Sequence, residues 1–331
     1  MANSLTHRER LEACLSGNKL DRVPVSLWRH FPVDDQNPDG LARATAAFQN
    51  QFDFDFIKIT PASSFEIRDW GAQDRWNGSS EGTREYEGLV IHTPDDWAKL
   101  AKVNPLDGSL GAQISCIKLL RSEFSMATPI LQTVFSPLAQ AKNLVGRGSQ
   151  ALHMRLYPEE LKAGLERITQ TTIQYIEALS SLRIDGIFYA VQHAQYGLHT
   201  TSEFLEFGKS YDLRVLEAAQ SFWLNMVHLH GENVMFSEVQ DYPVQVLNWH
   251  DRHTPPSLVE AQSSFPGVVC GGLRRQETMV LGTPDRVSSE AWDAIRSVNG
   301  KRFILGTGCV LPIVAPYGNI LAARQCVEQN N

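Results

Sequence analysis

Short apolar runs that recur between longer stretches of helical periodicity constrain this chain more than any other feature. The runs fall at residues 23–27, 56–60, 129–135, 186–191, 226–230, 244–248, 268–271 and 303–306. Each is shorter than an independent helix, and most are rich in β-branched or aromatic residues, which predicts strands. Helical patterns such as Pro158–Ser180 and residues 203–219 separate most of them. Alternating strands and helices build a parallel sheet covered on both faces. Eight such units in 331 residues predict an α/β fold, a single (β/α)8 TIM barrel spanning residues 1–331. The competing architecture is an open doubly wound sheet, but no Gly-x-Gly-x-x-Gly follows a strand. A helix over residues 6–16, capped by Thr6, precedes the first strand. Residues 61–128 form an insertion between strands 2 and 3, with a hairpin around Tyr86-Glu-Gly88, and are expected to cover the barrel mouth.

Composition narrows the function. The formal net charge is −7, without a basic block, which argues against a nucleic-acid partner. No apolar run is long enough to cross a bilayer, and the first ten residues are polar, unlike a signal peptide. The five cysteines, Cys14, Cys116, Cys270, Cys309 and Cys326, are scattered and form no Cys-x-x-Cys pair. Reduced thiols and a cytoplasmic enzyme, monomeric or homodimeric, are therefore expected.

Active sites of such barrels lie where strands end and loops begin. Those ends are polar here. They carry Trp28-Arg29-His30, Lys58, Tyr189 with Gln192-His193, His228 and His230, Asn248-Trp249-His250, Arg274 and Cys309. His228 and His230, two residues apart on one strand, leave the same face. Two imidazoles and a thiolate make a three-ligand zinc set with an open fourth position, the catalytic pattern. Against this stand two plainer readings: histidines bonded to backbone, and a cysteine packed as a small hydrophobe. Arg29 and Arg274 suit a substrate anion or are solvated loop charges. Lys58, inside an apolar strand, is expected to pair with Asp55 or Asp251. His193 and His250 are candidates for moving protons or supporting ligands. Trp28, His30, Lys58, Tyr189, Gln192, Asn248 and Trp249 are candidate substrate contacts.

Nearly the whole chain also resembles a known family. The stretches that carry the resemblance are Arg8-Glu-Arg-Leu11, Asp21-Arg-Val-Pro-Val25, His228-Leu-His-Gly231 and Leu247-Asn-Trp-His250. The most specific is Leu305-Gly-Thr-Gly-Cys-Val-Leu-Pro-Ile-Val-Ala-Pro-Tyr-Gly-Asn319. They resemble the uroporphyrinogen decarboxylase superfamily, (β/α)8 barrels that include true decarboxylases and zinc-dependent methyltransferases acting with corrinoid proteins. The decarboxylase pattern is thin: only Arg29 matches its arginine-rich segment, Thr60 stands at its aspartate and Asn143 at its tyrosine. The methyltransferase branch uses a His-x-Cys pair on the fifth strand and a cysteine after the eighth, which become His228, His230 and Cys309 here. The resemblance thus implies a zinc-dependent methyltransferase-like enzyme that activates a thiol or small polar substrate. It also implies a corrinoid (cobalamin) carried by a separate partner protein. The alternatives are a metal-free decarboxylase acting on a tetrapyrrole or smaller acid, with His193 or His230 as proton donor, and a non-catalytic ligand-binding barrel.

Overall fold

The computed structural model describes residues 4–328. Its strands are β1 (Ile57–Ile59), β2 (Gln73–Arg75), β3 (Glu85–Gly88), β4 (Ile130–Phe135), β5 (Gly186–Val191), β6 (Met226–Leu229), β7 (Val246–Trp249), β8 (Val268–Leu273) and β9 (Phe303–Thr307). Seven of them form one curled parallel sheet in the order β1-β4-β5-β6-β7-β8-β9, so each strand pairs with its successor after a crossover. Every residue of these seven strands is buried, because helices cover the outer face and side chains fill the inner one. No helix among the described residues is long and apolar enough to cross a membrane.

The expected first strand is reduced to bridges. Pro24 has no N–H to give to a ladder. Its carbonyl still accepts from Leu305 N–H at 2.8 Å, Ser26 N–H donates to the Leu305 carbonyl at 3.0 Å, and Asp55 N–H donates to the Val25 carbonyl at 2.9 Å. Residues 24–26 therefore bond to β9 on one side and to the start of β1 on the other. Asp55, with no solvent exposure, fixes this join: its carboxylate accepts from Val25 N–H at 2.7 Å, Arg10 at 2.6 Å and Arg22 at 2.6 Å. Burial alone would raise the acid, but His7 and the two guanidiniums outweigh it and hold the carboxyl below its ordinary range.

Asp55 is thus fully engaged, and the expected ion pair with Lys58 does not form. Three residues separate them, about 10 Å along an extended chain, so they serve different ends of the strand. Asp251 is engaged elsewhere as well, accepting from Gly272 N–H at 3.1 Å. The Lys58 amine instead donates to Thr60 Oγ1 at 3.2 Å and lies 4.5 Å over the Phe188 ring.

The first helix runs His7–Leu15, with Thr6 and Glu9 bonding each other's backbone N–H in a capping box. The segment 61–128 contains the antiparallel pair β2–β3, with Tyr86 in β3, followed by the helix Gly108–Glu123. Residues 201–218 are helical as expected, with a π-helical stretch at Leu205–Lys209.

Asp55→Ala is expected to destabilise the protein by roughly 3 kcal/mol, because Arg10 and Arg22 lose the buried carboxylate they share and keep only Asp21 and Glu328. Urea unfolding measures this. The lowered carboxyl contributes stability above its ordinary value of 3.8, and that contribution is lost as pH falls through the lowered one. The wild type should therefore lose stability below about pH 4 more steeply than Asp55→Asn.

Candidate metal centre

β6 ends at Leu229, so His228 points into the barrel and His230 leaves on the same side one step later. His228 pairs in register with Asn248 on β7, which places His250 beside His230. Cys309 follows β9 on a turn that closes against β7. A Cβ on Gly308 would lie 2.6 Å from His250 Cα and 2.7 Å from the Trp249 carbonyl, so only glycine lets the thiol come this close.

The result is a group of four: His228, His230, His250 and Cys309, with one donor atom from each lying within 4.8 Å of all the others. Cys309 Sγ is 3.6 Å from His230 Nδ1. A tetrahedral zinc ion would hold neighbouring nitrogen and sulfur donors roughly 3.3–3.6 Å apart, so the Cys309–His230 pair already fits and any pair near the 4.8 Å limit must tighten by about an ångström.

Three observations show that the donors suit such an ion. Asn248 donates both of its amide hydrogens, to the Cys270 carbonyl at 2.9 Å and the Thr307 carbonyl at 3.1 Å. Its oxygen is then the acceptor facing His228 Nδ1 at 2.7 Å, so Nδ1 carries the proton and Nε2 keeps its lone pair. The Nε2 atoms of His228 and His250 are buried without hydrogen-bond partners among the described residues. Burial pushes the Cys309 thiol up, but its interactions with the surrounding imidazoles outweigh it and hold the thiol well below its ordinary value. Burial also lowers His228, against an opposing pull from Cys309.

His228, His230 and Cys309 of this group line a cavity of about 710 Å³. Trp28, His30, Lys58, Gln192 and His193 line it as the sequence suggested. Burial, with Lys58 close by, takes His30 down to about 3. Burial takes the Lys58 amine down to about 7, against a small opposing pull from Cys309.

Besides His250, five other candidates do not line it. Arg29 lies between two inward residues and turns away, 5.3 Å over the Phe31 ring. Tyr189, between Phe188 and Ala190 on β5, points outward and donates to Asp212 at 2.6 Å. Trp249 is outward too, donating to the Pro256 carbonyl at 2.9 Å. Arg274 pairs with Glu290 on the helix Pro284–Ser297. Asn248 points inward but acts on His228 and not on the cavity.

His250, expected as a proton carrier or a support, stands among the donors, so the three-ligand set becomes four. The signal was present: Asn248-x-His250 on β7 repeats the His228-x-His230 spacing one strand earlier. Lys142, Arg84 and His199 also line the cavity and had no strand-end signal.

The family model described as uroporphyrinogen decarboxylase (URO-D) matches residues 6–330. None of the curated proteins compared with the chain matches it. Among solved structures, a methyltransferase from Methanosarcina mazei is similar with a TM-score of 0.85 at 19% identity, covering 98% of each chain. A B12-independent methionine synthase from Shewanella sp. W3-18-1, solved in complex with selenomethionine, gives a TM-score of 0.60 at 14% identity over 92% of each chain. At such identities the likeness is one of fold.

Asn248→Leu removes the acceptor that fixes the His228 tautomer. Zinc titration should show affinity falling roughly 10–100-fold, the usual effect of losing a partner behind a metal-bound histidine. Unchanged affinity would remove Asn248 from this role.

Proposed function

The chain belongs to the uroporphyrinogen decarboxylase family, and from that premise we propose that it is a zinc-dependent methyltransferase built as a single (β/α)8 barrel. Its substrate is a thiol or small polar molecule, and a separate corrinoid protein exchanges the methyl group. The observation that carries this reading is the convergence of three imidazoles and one thiol, with His228, His230 and Cys309 lining the cavity. The fold likeness to a methyltransferase supports it.

His228, His230 and Cys309 would hold the ion, with His250 as a fourth donor that a substrate thiol would displace. Bound zinc would supply the Lewis acidity that turns a thiol into a nucleophile at neutral pH. The remaining work falls to the chain. Asn248 keeps His228 Nε2 available. Trp28 and Phe188 form apolar wall that excludes water. Lys58 Nζ, depressed by burial and hydrogen-bonded to Thr60, takes the proton that the substrate gives up.

Two measurements test this. Elemental analysis should find one zinc per wild-type chain, and Cys309→Ser and His230→Ala should lose it while remaining folded. A folded wild type that takes up no zinc would overturn the reading, and turnover that survives chelation would favour a metal-free decarboxylase. Lys58→Met should keep its zinc but lose methyl transfer by roughly 10²-fold or more, the usual contribution of a positioned proton acceptor. Full activity in that variant would remove Lys58 from the mechanism.

A further inference from the structure

The loop between β2 and β3 is fastened to the barrel at three places. The Ser80 carbonyl accepts from Ile313 N–H at 2.8 Å, beyond β9. The Glu81 carboxylate engages Arg275 and Gln276, beyond β8. Arg84 donates to the Pro32 carbonyl at 2.6 Å and to Asp35 at 2.6 Å, in the segment that follows His30. Between these anchors Gly82 presses its backbone onto His30. Its φ is +74°, and a Cβ there would lie 2.6 Å from His30 Cβ and 3.0 Å from Ile313 Cγ2. Only glycine fits without moving the histidine.

His30 is 8% exposed and lines the cavity. Burial holds its ring neutral, and Lys58, Cys309, Arg84 and Arg275 are all near enough for their charges to act on it. The ring thus stands between the candidate metal group and the insertion. The two cations that line the cavity here are engaged without it, Arg84 by Asp35 and Lys58 by Thr60 Oγ1 at 3.2 Å. Nδ1 of His30 is buried and has no hydrogen-bond partner among the described residues, so the ring meets the cavity at its Nε2 edge. A neutral imidazole carries one proton. On Nδ1 it would be a buried donor with nothing to accept it, whereas on Nε2 it faces a space where a ligand can. Sulfur is a weak acceptor, and an oxygen serves this donor better.

We propose that His30 Nε2–H donates to an oxygen that the substrate carries near its sulfur, and that the loop Ser80–Arg84 is the positioning element that aims it. The proposal rests on the methyltransferase reading for the thiol, and it narrows the substrate class to a thiol with a neighbouring hydroxyl or similar oxygen.

Mercaptoethanol and propanethiol differ by a hydroxyl in place of a methyl. Both are titrated by calorimetry into the full chain, zinc-loaded and chelated. His30→Leu should shift the ratio of the two affinities against mercaptoethanol by roughly 3–10-fold, the worth of one hydrogen bond. His30→Gln keeps a donor at similar size and should stay within about twofold of the wild type. Gly82→Ala, outside the cavity lining, should shift the ratio in the same direction as His30→Leu while its melting temperature shows it folded. A ratio unchanged in His30→Leu overturns the contact, and one unchanged in Gly82→Ala overturns the role of the loop. Binding of neither probe to either form overturns both. Zinc-dependent binding with a ratio indifferent to His30 refutes this inference alone. A His30-dependent ratio in a chain that takes no zinc refutes the metal reading alone.

Discussion

The amide of Asn248 is the interaction on which the candidate centre depends. It reaches from β7 to a carbonyl of β8 and a carbonyl of β9, and it presents its oxygen to an imidazole of β6. Those strands carry or adjoin every donor in the group. One side chain thus holds three strand ends in register and sets which nitrogen of His228 is protonated. A flipped amide would face its oxygen to two carbonyls and its hydrogens to the ring, so the orientation is unambiguous. The close approach permitted by Gly308 completes the arrangement by bringing Cys309 against the β7 end.

The buried charges divide by function. Asp55 is surrounded by Arg10, Arg22, His7 and a backbone N–H, so its burial is compensated and it closes the sheet. Lys58, three residues later, receives a hydroxyl and an aromatic face, and no carboxylate lies within ion-pair distance among the described residues. An amine held this way is not explained by stability, since burial without a counter-charge is unfavourable. Its place in the cavity wall gives it access to whatever binds there. Some buried polar atoms without a partner among the described residues, those of His30, His199 and His228, belong to side chains that line the cavity, where a ligand can relieve the cost.

The sequence made much of this readable, and parity explains most of what it left out. Apolar runs located seven strands of the sheet, and the His228-x-His230 spacing together with Cys309 located three of the four donors. The same period-two rule, applied at the other strand ends, separates inward Trp28 and His30 from outward Arg29, and inward Phe188 and Ala190 from outward Tyr189. It likewise separates Asn248 and His250 from Trp249. Strand-end position alone did not make that distinction. Other features lay beyond local pattern. The pairing of Arg274 with Glu290 depends on where a later helix packs. His199 and Lys142 belong to loops and helices whose approach to the cavity no spacing rule encodes. The first strand fell short of a ladder because Pro24 lacks a donor.

X-ray absorption at the zinc edge of the loaded, full-length protein tests the central claim most directly. The account predicts a four-coordinate site with a single sulfur at about 2.3 Å and nitrogen neighbours at about 2.0–2.1 Å. A spectrum with no sulfur neighbour, or with two or more, would contradict it.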